Sequence, residues 1–141
     1  MLGFTIGFGK LLLVQLPILI TAMAVGVWLF YVQHQFEESY WTRHKEWNYM
    51  TAALHGSSFY KLPKILQWFT GSIGFHHIHH LSPRIPNYLL QKCHYENPIF
   101  AEIKPVTLRS SLKALNFRLW DEEQRKLVGF SDLKSNQAPS L

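Results

Sequence analysis

The chain has 141 residues, of which 48% are hydrophobic and only 16% charged, and its formal net charge at pH 7 is +5. Its basic residues are scattered and are not interleaved with stacking aromatic side chains, so the positive charge does not indicate a nucleic-acid-binding protein. Cys93 is the single cysteine, which excludes an intrachain disulfide and is consistent with a reducing compartment.

The apolar residues are concentrated in residues 11–32, which carry no charged side chain. As a helix this segment extends about 33 Å, enough to cross a hydrocarbon core of ~30 Å. The alternative is a secretory signal peptide, because Ala22-Met23-Ala24 has the spacing of a cleavage site. Apolar residues continue well beyond that site, which a cleaved signal does not need. We therefore predict one transmembrane helix over residues 11–32, preceded in residues 1–10 by the end of an earlier apolar element.

The distribution of charge predicts the orientation of this span. All nine acidic residues and thirteen of the fourteen basic residues follow residue 32, whereas only Lys10 precedes the span. The positive-inside rule therefore places the part after the span in the cytoplasm. Its excess of basic residues is typical of a surface that lies beside anionic lipid.

Short helices are expected after the span. Four of them follow in succession, over residues 46–54, 61–71, 76–82 and 86–94. The first is expected to lie at the membrane interface, because its apolar side chains share one face. The third ends at Ser82, since a residue that precedes a proline disfavours the helical conformation.

The last part of the chain changes character. Thr107 is expected to cap a short helix that ends at Leu115. Alternating apolar and polar residues from 117 to 130 predict a β-hairpin. The fold class is therefore a mainly α-helical integral membrane protein with one transmembrane helix, helices that carry a histidine-rich segment, and a small terminal helix and hairpin. It has three predicted parts: residues 1–32 with the span, a cytoplasmic region over residues 33–131, and a disordered tail over residues 132–141.

Residues 76–80 contain four of the eight histidines of the chain. In a helix, His76, His79 and His80 stand at positions i, i+3 and i+4, so their rings project from one face toward a common point. Imidazole is neutral near pH 7, so several rings can lie together without strong repulsion, and it binds Fe, Zn, Cu and Ni. This spacing predicts a metal site.

Further ligands must come from other parts of the chain. His34, just past the span, is the first candidate, and His55 is the next. His77 lies about 100° around the helix from His76. It is therefore expected to support a ligand, or to form a hydrogen bond with the backbone, and not to bind the same metal ion. The two remaining histidines are expected to be surface residues: His44 and His94.

Residues 75–88, with the sequence FHHIHHLSPRIPNY, resemble the third histidine box, H-x-x-H-H, of the membrane fatty acid desaturases. Three further segments resemble the bacterial acyl-lipid members of that family in the expected order: residues 30–37, Glu46-Trp47 and residues 117–122. The resemblance extends over nearly the whole chain. It concerns only the C-terminal part of the family, because the first box, H-x-x-x-H, and the second box, H-x-x-H-H, are not found in this chain.

The resemblance implies a four-span membrane enzyme with two irons on the cytoplasmic side. Such an enzyme introduces a double bond into a lipid-borne acyl chain with O2 and two electrons, which ferredoxin or cytochrome b5 delivers. It implies that His76, His79 and His80 are box ligands and that His34, in a Gln-His pair, is an extra ligand, whereas His55 matches no box. Four residues are candidate walls of the acyl tunnel or site: Trp68, Phe69, Ile73 and Phe75.

Two alternatives remain at this point. Membrane hydroxylases that act on alkanes, sterols or carotenoids carry similar histidine clusters, although residues 82–88 favour the desaturases. The other alternative is a non-catalytic, membrane-anchored metal-binding remnant. Since four candidate ligands cannot hold two irons, we expect the chain by itself to bind iron weakly and to be inactive.

Overall fold

The computed structural model describes residues 4–5 and 7–132, and it divides the chain into two compact units, Met1–Tyr31 and Val32–Leu141. The predicted disordered tail lies, apart from Asp132, outside the described residues. Each unit has its own organisation. The first consists mainly of one apolar helix, and the second contains short helices around two small sheets.

Helix α1, Phe8–His34, confirms the predicted apolar helix and is long and apolar enough to cross a membrane. Its 27 residues extend about 40 Å at 1.5 Å per residue. Large apolar side chains along it, such as Leu13 and Val27, are well exposed. An apolar surface of this size requires apolar surroundings, which a bilayer supplies.

Helix α2, Tyr49–His55, begins later than predicted because Asn48 caps it. The Asn48 side chain accepts a hydrogen bond from the Thr51 amide at 3.1 Å, so the helix begins after Asn48. Trp47, which was expected inside the helix, has extended backbone angles. The residues before it form a single 3-10 turn, His44–Glu46.

Strand β1, Phe59–Lys61, pairs in parallel with β2, Pro105–Thr107, and sequence analysis did not predict this pair. The register sets Tyr60 opposite Val106. Each strand has three residues, which is too short for an alternating pattern to be recognised. Tyr60 is buried and its hydroxyl lies 3.1 Å from the Ser111 hydroxyl, so the pair forms part of the interior.

Three short helices follow β1: α3 at Lys64–Phe69, α4 at His76–Leu81 and α5 at Asn87–Glu96. Helix α3 begins later than predicted, because Lys61 belongs to β1 and Pro63 is the N-cap of the helix. A 3-10 turn, Ile73–Phe75, leads directly into α4. As predicted, α4 ends before Ser82, which has an extended conformation.

The core of the second unit fixes the orientation of α4. Ile78, at the middle of α4, is completely buried, and Phe75 just before it is almost so. They pack in one cluster with four other apolar residues: Leu54, Phe59, Leu90 and Phe100. Burial of such side chains stabilises the fold by roughly 1.5–3 kcal/mol each. One side of α4 is thereby held against the core.

The C-terminal elements confirm the predicted helix and hairpin. Thr107 forms a capping box with Ser110 at the start of α6, Leu108–Ser111, and a 3-10 turn continues to Leu115. Strands β3, Leu119–Asp121, and β4, Lys126–Val128, are antiparallel. Their turn is closed by Asp121, whose carboxylate accepts hydrogen bonds from two following amides at 2.9 Å.

The close approach at Gly74 gives a first testable prediction. A Cβ there would meet the Tyr60 carbonyl oxygen and lie 2.5 Å from Nε2 of the buried Gln67. We expect Gly74→Ala to destabilise the chain by about 1–3 kcal/mol, because the turn before α4 must move. The matched control is Gly26→Ala in α1, where a Cβ meets nothing within 4 Å. Thermal unfolding in detergent measures both, and equal melting temperatures for the two variants would contradict the packing described here.

Candidate metal centre

His34 is positioned by its neighbour Gln33, which is 1% exposed. The Gln33 side-chain amide donates to the carbonyl oxygen of Ile73 at 2.7 Å, in the turn that precedes α4. The Gln33 carbonyl oxygen accepts a hydrogen bond from the Ser58 amide at 2.9 Å, next to β1. These two bonds fix the backbone at His34 relative to α4.

Three histidines converge beside this connection. Nε2 of His34 lies 3.2 Å from Nε2 of His80, and Nε2 of His80 lies 3.0 Å from Nε2 of His76. One ligand atom from each of the three lies within 4.8 Å of the others. His34 and His80 are 46 residues apart in the chain. The fold therefore brings together three of the four principal ligands predicted from the sequence.

The two separations that involve His80, 3.2 and 3.0 Å, suit a metal ion. An ion that holds two imidazole nitrogens at ~2.1 Å separates them by ~3.0 Å when they are cis in an octahedron and ~3.4 Å in a tetrahedron. Protons alone cannot satisfy this cluster, because Nε2 of His80 carries either one proton or one lone pair and faces two other Nε2 atoms. A cation bound between them would accept a lone pair from each ring.

The cluster is electrically suited to bind a cation. Burial lowers the pKa of His76 to about 3, and repulsion from His80, His34 and other neighbouring rings adds to this effect. Burial also lowers the pKa of His80, followed by repulsion from His34 and His79. The rings of His76 and His80 are therefore neutral near pH 7, and no proton has to leave before a metal ion binds.

His79 stands beside the cluster without joining it. Its ring stacks on that of His76, with centroids 5.6 Å apart, and it is exposed. The group of converging ligand atoms found among the described residues contains His34, His76 and His80, and neither His79 nor a carboxylate is part of it. His79 thus faces outward from the same side of α4.

The other candidate histidines lie elsewhere. His77 is completely buried on the core side of α4, and its Nε2 lies 3.1 Å from Nδ1 of His94. His55 is exposed at the end of α2, and its backbone oxygen accepts a hydrogen bond from the Tyr40 amide. Neither His77 nor His55 is brought into the group of converging ligands. His44 is exposed, as expected.

The expectation that His94 is a surface residue is wrong. It is 9% exposed and packs among aromatic rings, with its centroid 4.3 Å from that of Phe59 and 5.9 Å from that of Phe100. Its partner His77 was expected to support a ligand or to bind backbone. The structure pairs the two rings inside the core, which helps to hold α4 against α5, and the backbone of Ser58 also interacts with the His77 ring.

Tyr49 also positions the site, a role that was not predicted from the sequence. Its hydroxyl lies 2.8 Å from the carbonyl oxygen of Leu81 and 3.0 Å from that of His80, so it donates to the end of α4. A lone tyrosine upstream of a histidine segment carries no sequence signal of this role. Tyr49 and Gln33 are the positioning residues that only the structure reveals.

Comparison with known proteins identifies the relatives of this chain. A profile of the family described as "Fatty acid desaturase" matches residues 1–109. The chain is 52% identical over 128 residues to a "Fatty acid desaturase" of Bacillus subtilis (strain 168), a match that covers 91% of this chain and 36% of that protein. The chain thus spans about a third of the length of this curated relative. No solved structure matches it.

The buried histidines predict how stability depends on pH. Burial, followed by repulsion from His94, lowers the pKa of His77 to about 3, and the backbone of Ser58 opposes this only in part. His76 shares the low value. Because these rings bind protons near pH 6.5 in the unfolded chain but not in the folded chain, their contribution to stability is fully present above about pH 7 and falls below it, by up to ~1.4 kcal/mol per pH unit per ring.

Melting temperatures of the metal-free chain in detergent, measured between pH 8 and 5, test this prediction. Carboxylates remain ionised above pH ~5, so they contribute little to the change in stability over this range. We expect His77→Asn to lower stability at pH 8 and to reduce the dependence on pH. His44→Gln, at an exposed position, is the control and keeps the original profile. A wild-type melting temperature that does not change over this range would contradict the buried neutral state of His77.

Proposed function

This chain belongs to the fatty acid desaturase family, and we propose that it supplies part of the iron centre of a membrane-bound acyl-lipid desaturase. The proposed ligands are His34, His76, His79 and His80. The observation that carries this proposal is the convergence of Nε2 atoms from the end of α1 and from α4. Family membership supports desaturation of a fatty acyl chain as the kind of reaction. The neutral rings of His76 and His80 support the binding of a cation.

In the proposed reaction, two neighbouring methylenes of an acyl chain lose two hydrogens. O2 takes up these hydrogens together with two electrons and two protons, giving a double bond and two molecules of water. Iron, when bound, supplies the oxidising power for this removal of unactivated hydrogens. Ferredoxin or cytochrome b5 is the proposed type of electron donor, and the substrate is an acyl chain of a membrane lipid.

The residues of this chain hold and shield the centre. His34, His76 and His80 present lone pairs toward one position. His79, which faces outward beside them, is proposed to bind a second iron whose remaining ligands lie outside this chain. Gln33 and Tyr49 keep the two ligand-bearing segments in register. Such support from neighbouring groups typically changes metal affinity by 10–100-fold.

We further propose that the site and the residues after it lie on the cytoplasmic side. The support is the distribution of charge, with Lys10 before the span and Arg43, Lys45, Lys61 and Lys64 in the region that follows.

The first experiment separates His34 from His55. One sample of the purified chain in detergent is titrated with Co²⁺ as a spectroscopic probe. A separate sample is assayed for bound iron. We expect about one ion per chain at most, since three histidines converge. His34→Ala should weaken binding by about tenfold or more, equivalent to ~1.4 kcal/mol, whereas His55→Ala, the control at an exposed position, leaves it unchanged. Loss of binding in the His55 variant alone would reverse the assignment.

The same preparation tests the expectation that the chain by itself is inactive. Supplied with electron donor, O2 and lipid, the chain alone should form no unsaturated product, because the proposed centre is incomplete. Stoichiometric binding of two irons, or any product, would contradict this expectation.

A chimera tests activity. In it, this chain replaces the matching segment of the Bacillus subtilis relative, and desaturation of membrane lipid is measured together with iron content. We expect His76→Ala, His79→Ala and His80→Ala each to abolish activity while membrane insertion persists, since each removes a proposed ligand and leaves α1 intact. His44→Ala is the silent control. A ligand variant that retains substantial activity would exclude that residue from the centre.

A further inference from the structure

Helix α3 has its polar side inside and its apolar side outside. The buried residue of this helix is Gln67, 8% exposed, whose side-chain amide donates to the Tyr60 carbonyl oxygen at 3.2 Å. Its four apolar side chains are instead 40–76% exposed: Ile65, Leu66, Trp68 and Phe69. At about 100° per residue these four cover an arc of roughly 160°, and Gln67 lies opposite its centre. A helix surrounded by water has the reverse arrangement.

The charged residues that flank α3 in the sequence are of one sign. Lys61 and Lys64 are exposed at the start of the helix. Residues 47–95 contain no aspartate or glutamate, and they contain four basic residues: Lys61, Lys64, Arg84 and Lys92. An apolar face with tryptophan and phenylalanine, flanked by lysines, is the composition of helices that lie in the interface of an anionic membrane.

We propose that α3 is an interfacial anchor that inserts into the surface of an anionic bilayer. In this arrangement the four exposed apolar side chains lie among the upper parts of the acyl chains, and Lys61 and Lys64 bind phosphate-bearing headgroups. The attraction of each lysine to such a surface is electrostatic and is therefore weakened by salt. The occupant of this face is lipid, and α3 is a second membrane contact of a chain that already carries a span. The proposal does not depend on the proposed desaturase reaction.

Three observations favour lipid over an acyl tunnel, for which Trp68 and Phe69 were candidate walls. The apolar face is open, with 76% of Trp68 and 72% of Phe69 exposed, whereas a tunnel wall is enclosed. Phe75, another candidate wall, lies in the core at 2% exposed. Lysines at the edge of the face also suit a surface of anionic headgroups better than they suit the wall of an apolar tunnel.

Spin labelling tests the proposal in the whole chain, reconstituted into vesicles with about 30 mol% phosphatidylglycerol, which model an anionic surface. Cys93→Ala provides a cysteine-free background. A label is then attached at Phe69→Cys on α3 or, as control, at Glu123→Cys on the exposed β3–β4 turn. Collisions with O2, which concentrates in lipid, are compared with collisions with a water-soluble nickel complex. We expect the ratio of O2 to nickel collisions at residue 69 to exceed that at residue 123 several-fold.

Adding Lys61→Gln and Lys64→Gln, or replacing the anionic lipid with phosphatidylcholine, should lower the ratio at residue 69 and leave residue 123 unchanged. Equal, water-like ratios at the two sites would overturn the proposal. A label at residue 69 that neither reagent reaches, in this chain or in the chimera, would show that protein covers the face, as a tunnel wall requires, and would also overturn it.

A second measurement needs no cysteine. Brominated lipids quench tryptophan fluorescence at short range, so we expect Trp68→Phe to remove a measurable part of the quenchable signal, while Trp28 in the span supplies the rest. Trp120→Phe, in the hairpin, is the control and should remove little. Equal losses in the two variants would contradict the proposal, and they would do so whether or not the chain supports desaturation.

Discussion

The hydrogen bonds of Gln33 are the constraint on which the proposed site depends. A buried glutamine amide is costly unless it is paired, and here it is paired to the backbone of the turn that begins α4. The neighbouring carbonyl is paired to Ser58 beside β1. Because these bonds are made to backbone atoms, they specify position without requiring a particular partner side chain. His34 is held at hydrogen-bonding distance from His80 as a result.

Helix α4 has two sides that serve different purposes. Ile78 and His77 face the core, where the pairing of His77 with His94 satisfies two ring nitrogens that would otherwise be unpaired in a low-dielectric interior. His76 and His80 face His34 instead. A six-residue helix is unstable in isolation, so its geometry comes from these contacts and from Tyr49 at its end. The rigidity of the ligands is therefore a property of the tertiary structure.

The exposed apolar surfaces are consistent with a protein whose solvent is partly lipid. Helix α1 exposes apolar side chains along its length, and α3 does so while burying a glutamine. In water either arrangement would favour aggregation. In a bilayer the same surfaces are satisfied, and the apolar core of the second unit lies around Ile78.

Much of this protein follows from the sequence by itself. The uncharged run of apolar residues determined α1, and the i, i+3, i+4 spacing determined that His76, His79 and His80 share one side of a helix, since both depend only on local periodicity. The capping box at Thr107 and the hairpin after it were equally local. Tertiary structure alone decided the parallel pairing of β1 with β2, the burial of His94, and the choice of His34 over His55 as the residue that meets His76 and His80. These features join residues far apart in the chain, and no sequence pattern records such distances because packing and buried hydrogen bonds determine them.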